Sequence, residues 1–250
     1  EHILQVIEGN ESEKITDVKA AVLKAMREPI NSKPLQQCVN KGEKVAIVVS
    51  DITRLVHTDQ ILIHIVNELN LAGIPDEDIS IVVAQGTHRP QTHEEDVIVC
   101  GQEVVDRIKI YQHSSKESVC VHVGDTPRGV PVWIDKHVTD ADKVILTGGI
   151  TVHLLAGYGG GRKAVLPGCA AMETVRMNHS HMLSDKAGLG LMEGNPCYDD
   201  QMEGVALFAK GRSLFLLNAI LNAEHQFLRI FTGDYVKAHK EACKFVDEVY

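Results

Sequence analysis

Two six-residue runs, Val45-Ala-Ile-Val-Val-Ser50 and Ile79-Ser-Ile-Val-Val-Ala84, constrain this chain most. Both are β-branched and apolar at nearly every position, so neither has a face that suits water. Such a run reads as a strand covered on both sides, which is the habit of parallel sheets. Between them, Thr58 to Leu71 carries Ile61, Leu62, Ile65, Val66 and Leu69 at helical spacing. Strand, helix, strand is a βαβ unit. Further strands are expected at Ile108–Tyr111, Lys143–Thr147, Ser213–Asn218 and Phe227–Phe231, and a closing helix over Tyr235 to Val249. Thr92 can cap a short helix that begins His93-Glu94-Glu95, since acidic residues suit a first turn. The fold class expected is α/β, a mostly parallel Rossmann-like sheet with helices on both faces.

Composition narrows the partners. The chain has 250 residues, enough for a sizeable core, and a formal net charge of -9, which disfavours nucleic acid as a partner. No apolar run approaches the roughly 18–20 residues of a membrane span, so no membrane partner is expected. The opening Glu1-His2-Ile3-Leu4 lacks the basic and apolar regions of a signal peptide. The six cysteines, Cys38, Cys100, Cys120, Cys169, Cys197 and Cys243, form no CxxC pair. They read as free thiols in a reducing cytoplasm, not as staples or a zinc site.

In open α/β sheets ligands bind beyond the carboxyl ends of the strands, and the polar motifs sit at those ends. The first is Ser50-Asp51-Ile52-Thr53-Arg54, where Arg54 offers a planar fork to a carboxylate or phosphate. A solvated arginine beside a helix cap is the plain alternative. The second is Gln85-Gly86-Thr87-His88-Arg89-Pro90-Gln91-Thr92-His93. A strand-end histidine such as His88 suits acid–base work, and a surface turn is the alternative. Arg89 suits either an anion or a nearby acid. The third runs from Gly148-Gly149 through His153 to Ala156-Gly157-Tyr158-Gly159-Gly160-Gly161-Arg162-Lys163 and on to Pro167-Gly168. So many glycines let backbone N–H groups approach an anion. It is not a Walker A loop, because Arg162 and Ala164 flank the lysine where Gly and Ser or Thr are needed. The fourth is Met177-Asn178-His179-Ser180-His181. On a helix the two histidines face opposite ways, so one metal ligand is expected and not two.

Taken in this order, the four segments resemble the lactate racemase family, which uses a nickel-pincer nucleotide. The family's Ser-Asp-x-Thr-Arg is matched at Ser50 to Arg54, and its Gly-x-His-Arg-x-x-Thr-His-Glu-Glu at Gly86 to Glu95. Its His, Ala-Gly and Gly-Gly-Arg-Lys-x-x-x-Pro-Gly elements are matched at His153, Ala156-Gly157 and Gly160 to Gly168, and its Asn-His-Ser at Asn178 to Ser180. The resemblance implies a racemase or epimerase of a 2-hydroxy acid that works by reversible hydride transfer. It implies a pyridinium mononucleotide whose two sulfur arms and one ring carbon hold nickel, attached covalently at Lys163. It implies His179 as the nickel ligand and His88 and His153 as the acid–base pair. Asp51, Ile52, Thr53 and Arg54 would contact the cofactor, and Gly160, Gly161 and Arg162 would hold its phosphate. Cofactor-making enzymes are the implied partners, and an ordinary expression host would leave the protein without the group.

The resemblance also implies that residues 1–250 are a cofactor-binding N-terminal domain, with the family's C-terminal domain absent from this chain. The family usually places proline after Thr-Arg, whereas Leu55, Val56 and His57 follow here, which leaves the substrate open among 2-hydroxy acids and sugar acids. A competing reading is a non-catalytic domain that binds a phosphorylated ligand in the glycine loop. A hydrolase using His88, His93 and His179 lacks an HExxH motif, and a dinucleotide dehydrogenase lacks GxGxxG after its first strand. His57, His64, His113, His122, His137, His225 and His239 read as surface or core residues.

Overall fold

A computed structural model describes residue 10, residues 12–54 and residues 56–250. The opening Glu1 to Leu4, and Leu55 after the Thr-Arg pair, lie outside the described residues. Helix α1 (Val18–Arg27) precedes strand β1 (Val45–Ser50), helix α2 (Asp59–Leu71) and strand β2 (Ile79–Ala84). Helices α3 (His93–Cys100) and α4 (Gln102–Arg107) lead to β3 (Lys109–Gln112). A hairpin of β4 (Cys120–Asp125) and β5 (Pro131–Asp135) and a turn of helix α5 (Lys136–Thr139) come before β6 (Lys143–Gly149). Short strands β7 (Val152–His153) and β8 (Ala156–Tyr158), helix α6 (Met172–Ser180) and strand β9 (Gly188–Leu189) follow. Helix α7 (Pro196–Phe208), strands β10 (Ser213–Leu221) and β11 (Phe227–Gly233) and helix α8 (Lys237–Val249) complete the chain.

The main sheet has the order β11-β10-β6-β1-β2-β3. Every neighbouring pair is parallel except β10 with β11, which is antiparallel. Period-two alternation sends each strand's side chains to two separate cores. On one face Val45, Ile47, Val49, Ile81 and Val83 meet Ile61, Leu62, Ile65 and Leu69 of α2, with Met26 of α1 behind. On the other, Ala46, Val48, Val82, Val144 and Leu146 meet Val132, Ile134, Leu166, Val205 and Phe208. Helix α8 closes the β10–β11 end over Ile220, Leu228 and Phe231. The expected α/β class with helices on both faces is what the chain forms.

This order positions the site. From β1 the chain winds outward to β2 and β3, then returns to the other side of β1 as β6 and continues to β10. The loops that leave β1 and β6 therefore part company, and a crevice opens above the carboxyl ends of those two strands. The register brings Val45 opposite both Ile79 and Lys143, so the strand ends carrying the first three motifs lie level.

Candidate active site at the strand switch point

A cleft of about 500 Å³ occupies that crevice. The carboxyl end of β1 supplies Asp51, Ile52, Thr53 and Arg54, and the loop after β2 supplies His88. The loops beyond β6 supply His153, Gly160 and Lys163, and α6 supplies His179. Residues from four separate segments of the sequence thus converge on one cavity.

Asp51 is only 3% exposed, so its carboxylate needs partners. His88 Nδ1 lies 2.5 Å from Asp51 Oδ2, and the Thr53 hydroxyl donates to Asp51 Oδ1 at 2.7 Å. A carboxylate can only accept, so neutral His88 carries its proton on Nδ1 and turns an unprotonated Nε2 outward. Ile52 N–H is held by Gln91 Oε1 at 2.5 Å, which ties the first motif to the second. Arg89 does not reach the cleft. It forms a surface fork on Glu95 at 2.6 and 2.7 Å, and Thr92 and Glu95 close a capping box at the head of α3.

His153 sits in the β7–β8 hairpin, and its Nδ1 accepts the N–H groups of Leu155 at 3.2 Å and Ala156 at 3.3 Å. Burial, then the cations Lys163, Arg54 and Arg162 and the His179 ring, push its pKa down to about 4. Lys163 lies on a 3-10 turn over Gly161–Ala164. Burial, with Arg162 and Arg54 next in size, brings its ammonium down to about 7. A lysine in that state is part neutral amine at physiological pH and can act as a nucleophile.

The Asn-His-Ser segment divides its work between two sides of α6. Asn178 is buried and binds Asp200 Oδ2 at 2.8 Å, Gln201 Nε2 at 3.1 Å and the Cys197 carbonyl at 3.2 Å, so it anchors α6 to α7. One residue on, about 100° around the helix, His179 faces the cleft. Its Nδ1 donates to the Val175 carbonyl one turn back at 2.9 Å, leaving Nε2 as a free lone pair. Burial lowers the pKa of this imidazole, which favours the neutral form a metal requires. His181 falls beyond the end of α6 and does not line the cleft.

Two expected residues are placed elsewhere. Arg162 is 1% exposed and turns beneath the glycine loop, where it donates to the Ala156 and Tyr158 carbonyls and stacks on the Tyr198 ring at 4.1 Å. Its Nε and Nη1 have no partner among the described residues. Arg162, expected to help hold the phosphate, therefore does not present its side chain to the cleft: consecutive residues of a tight turn point different ways, and Lys163 takes the cleft side. Gly161 is also buried, and its N–H is given to Asn218 Oδ1 at 2.7 Å. Gly159 N–H is likewise used internally, on the Thr151 carbonyl. Of the glycines expected to contact the cofactor, only Gly160 lines the cleft.

The structure also adds residues that the motifs did not single out. His225, on the turn between β10 and β11, lines the cleft, as does Thr147. His57 meets His225 edge-on at 6.3 Å. His239 is buried and donates from Nε2 to the Gly159 carbonyl at 2.8 Å, so it props the glycine loop from below. Among the described residues, no group of three or more His, Cys, Asp or Glu is placed to hold a metal unaided. All six cysteines are free. No helix of the described residues is long and apolar enough to cross a membrane.

Comparison with known proteins agrees with this geometry. The lactate racemase N-terminal domain family matches residues 1–190. A lactate racemase of Lactiplantibacillus plantarum is 35% identical over 235 residues, covering 91% of this chain and 54% of that protein. One from Thermoanaerobacterium thermosaccharolyticum is 30% identical over 231 residues, covering 91% and 53%. The chain thus spans about half the length of the curated relatives it matches. The lactate racemase apoprotein structure from T. thermosaccharolyticum superposes with a TM-score of 0.86 at 29% identity, covering 94% of this chain and 56% of that one. A Thermotoga maritima structure shares the fold, with a TM-score of 0.74 at 19% identity over 93% of this chain and 59% of that one.

Proposed function

The chain belongs to the lactate racemase family, and from that premise we propose that it is the cofactor-holding domain of a 2-hydroxy-acid racemase or epimerase. The observation that carries this reading is the convergence of Lys163, His179, His88 and His153 on one cleft at the β1/β6 switch point. The residues present fit a nickel-pincer nucleotide. Lys163 offers a depressed amine for covalent attachment, and His179 offers a single imidazole lone pair with its tautomer fixed by Val175. One protein ligand suffices where the nucleotide supplies the others. Gly160 admits no side chain, since a Cβ there would lie 2.7 Å from Asn218 Oδ1 and 2.9 Å from the Gly149 carbonyl.

When bound, such a group supplies a hydride acceptor at a carbon, chemistry that no side chain offers. The chain's own residues then do the remaining work. Arg54 pairs with the substrate carboxylate or with the cofactor. His88 Nε2 takes the hydroxyl proton as the 2-hydroxy acid becomes a planar 2-keto acid, and Asp51 stabilises the imidazolium so formed. His153 holds a substrate oxygen by a donated hydrogen bond, and the proton kept on His88 returns to the oxygen when the keto acid is reduced again. The cleft is well supplied with Arg54, Lys163 and histidines although the whole chain is acidic, which suits an anionic substrate.

The test is a nickel assay on protein co-produced with the cofactor-making enzymes, beside a His179→Ala variant. The expected result is about one nickel per chain in the parent and a large loss in the variant. Nickel absent from the parent, or unchanged in the variant, while a curated relative made in the same cells is loaded, contradicts the reading.

A further inference from the structure

His88 and His153 are held as opposite tautomers by different means. For His88 the partner is an acceptor, the Asp51 carboxylate, which fixes the proton on Nδ1. For His153 the partners are two donors, the backbone N–H groups of Leu155 and Ala156, so Nδ1 must be the unprotonated nitrogen. Those donors belong to the turn of the β7–β8 hairpin that carries the residue, and that hairpin is fixed by pairing of His153 with Gly157. The proton of neutral His153 is therefore on Nε2.

We propose that the two histidines are not interchangeable: His88 rests as the proton acceptor of the site, and His153 rests as a neutral Nε2–H donor to a substrate oxygen. This deepens the racemase reading and rests on it for the identity of the substrate, a 2-hydroxy acid or its 2-keto form. A neutral imidazole that donates from Nε2 polarises a carbonyl without carrying charge. That role suits His153, because the groups around it disfavour imidazolium. Burial first, and then the positive charge of Lys163, Arg54 and Arg162 with the His179 ring near, lower the pKa of the ring to about 4. A second ring proton, at Nδ1, would also need both backbone N–H groups to turn away. His88 is the more exposed of the two and has the buried Asp51 to receive its imidazolium.

The division has a chemical consequence. An oxygen bound at His88 can lose its proton directly, with the proton passing to His88 Nε2. An oxygen bound at His153 is instead held by a donated hydrogen bond, which favours a carbonyl or carboxylate oxygen there. The resting chain is thus set to receive the hydroxyl at His88.

The test needs no cofactor. Long-range ¹H–¹⁵N correlation spectra of the labelled chain near pH 7.5 distinguish the two neutral imidazole tautomers, with His88→Gln and His153→Gln used only to assign signals. The expected result is an Nε2–H pattern for His153 and an Nδ1–H pattern for the neutral form of His88, with the His153 pattern unchanged down to pH 5.5. An Nδ1–H pattern for His153, or the same tautomer at both rings, overturns the proposal. Those outcomes leave the racemase reading untouched, whereas missing nickel would sink that reading and leave these spectra as they are.

Discussion

At the scale of single residues, Lys163 makes the sharpest prediction. Its ammonium is lowered to about 7, chiefly by burial and then by the cations Arg162 and Arg54. An ordinary lysine titrates near 10.4. The sign is that deprotonation comes early, so acylation of Lys163 by an anhydride should rise with pH to a midpoint near 7. Competitive labelling followed by peptide mass spectrometry reads this directly, and a midpoint near 10 would contradict it. Asp51 gives a second prediction. Asp51→Asn can offer an amide N–H to His88 Nδ1 and so favour the wrong tautomer. In a nickel-loaded, active preparation, turnover should fall about 10²–10⁴-fold, the range set by loss of a general base. A loss under tenfold would remove Asp51 from that role. The positions that line the cleft were legible mainly because the four segments, taken in order, resemble one family; each segment alone also suited a cap, a turn or a surface residue. The placements of Arg162 and His225 were not legible. The direction of a side chain on a tight 3-10 turn, and the arrival of a distant turn at the cleft, depend on tertiary packing that residue type does not reveal.

At the scale of elements, the glycine loop is shaped from below by Asn218 on β10 and His239 on α8. Gly161 has φ +55, and a Cβ there would lie 2.4 Å from the His239 ring. Gly211 also has positive φ, +77, but open space around it. Gly211→Ala should therefore cost only left-handed backbone strain, about 1–2 kcal/mol. Gly161→Ala adds steric overlap inside a packed region and should cost more, by about a further 1–3 kcal/mol. Denaturant unfolding of the pair checks the order, and equal losses would contradict the account of the loop. The strands β1 and β2 begin and end where their apolar runs do, since burial on both faces leaves a contiguous signal. Helix α2 follows its expected spacing. The hairpin β4–β5, the small strands β7 to β9 and helices α1, α4, α5 and α7 were not read from the sequence. In β4, no residue of Cys120–Asp125 is buried, so no period stands out. Helix α7 did carry a start signal, Asn195 capping Cys197 and Tyr198 with Pro196 in the first turn.

At the scale of the whole molecule, stability should fall on acidification. Burial holds His239 near 3 and His153 near 4, while the unfolded chain's histidines protonate near 6.5. Between those values the unfolded state binds more protons than the folded one, so stability drops as pH falls below about 6.5. The lowered carboxyl of Asp135, bonded to His113 and His137, acts in the same direction at lower pH. The melting temperature should therefore decline from pH 7.5 to pH 5, and a flat or rising profile would contradict this. The class of fold was legible because alternating strand and helix patterns admit few architectures. The strand order was not, and the order creates the crevice. The proposed attachment of the cofactor to Lys163, in that crevice, is tested by peptide-resolved mass spectrometry of the chain co-produced with the cofactor-making enzymes. A covalent adduct is expected on the peptide containing Lys163, and it should disappear in Lys163→Ala. An unmodified Lys163, from cells that load a curated relative in parallel, would contradict it and favour a domain that binds a phosphorylated ligand without chemistry.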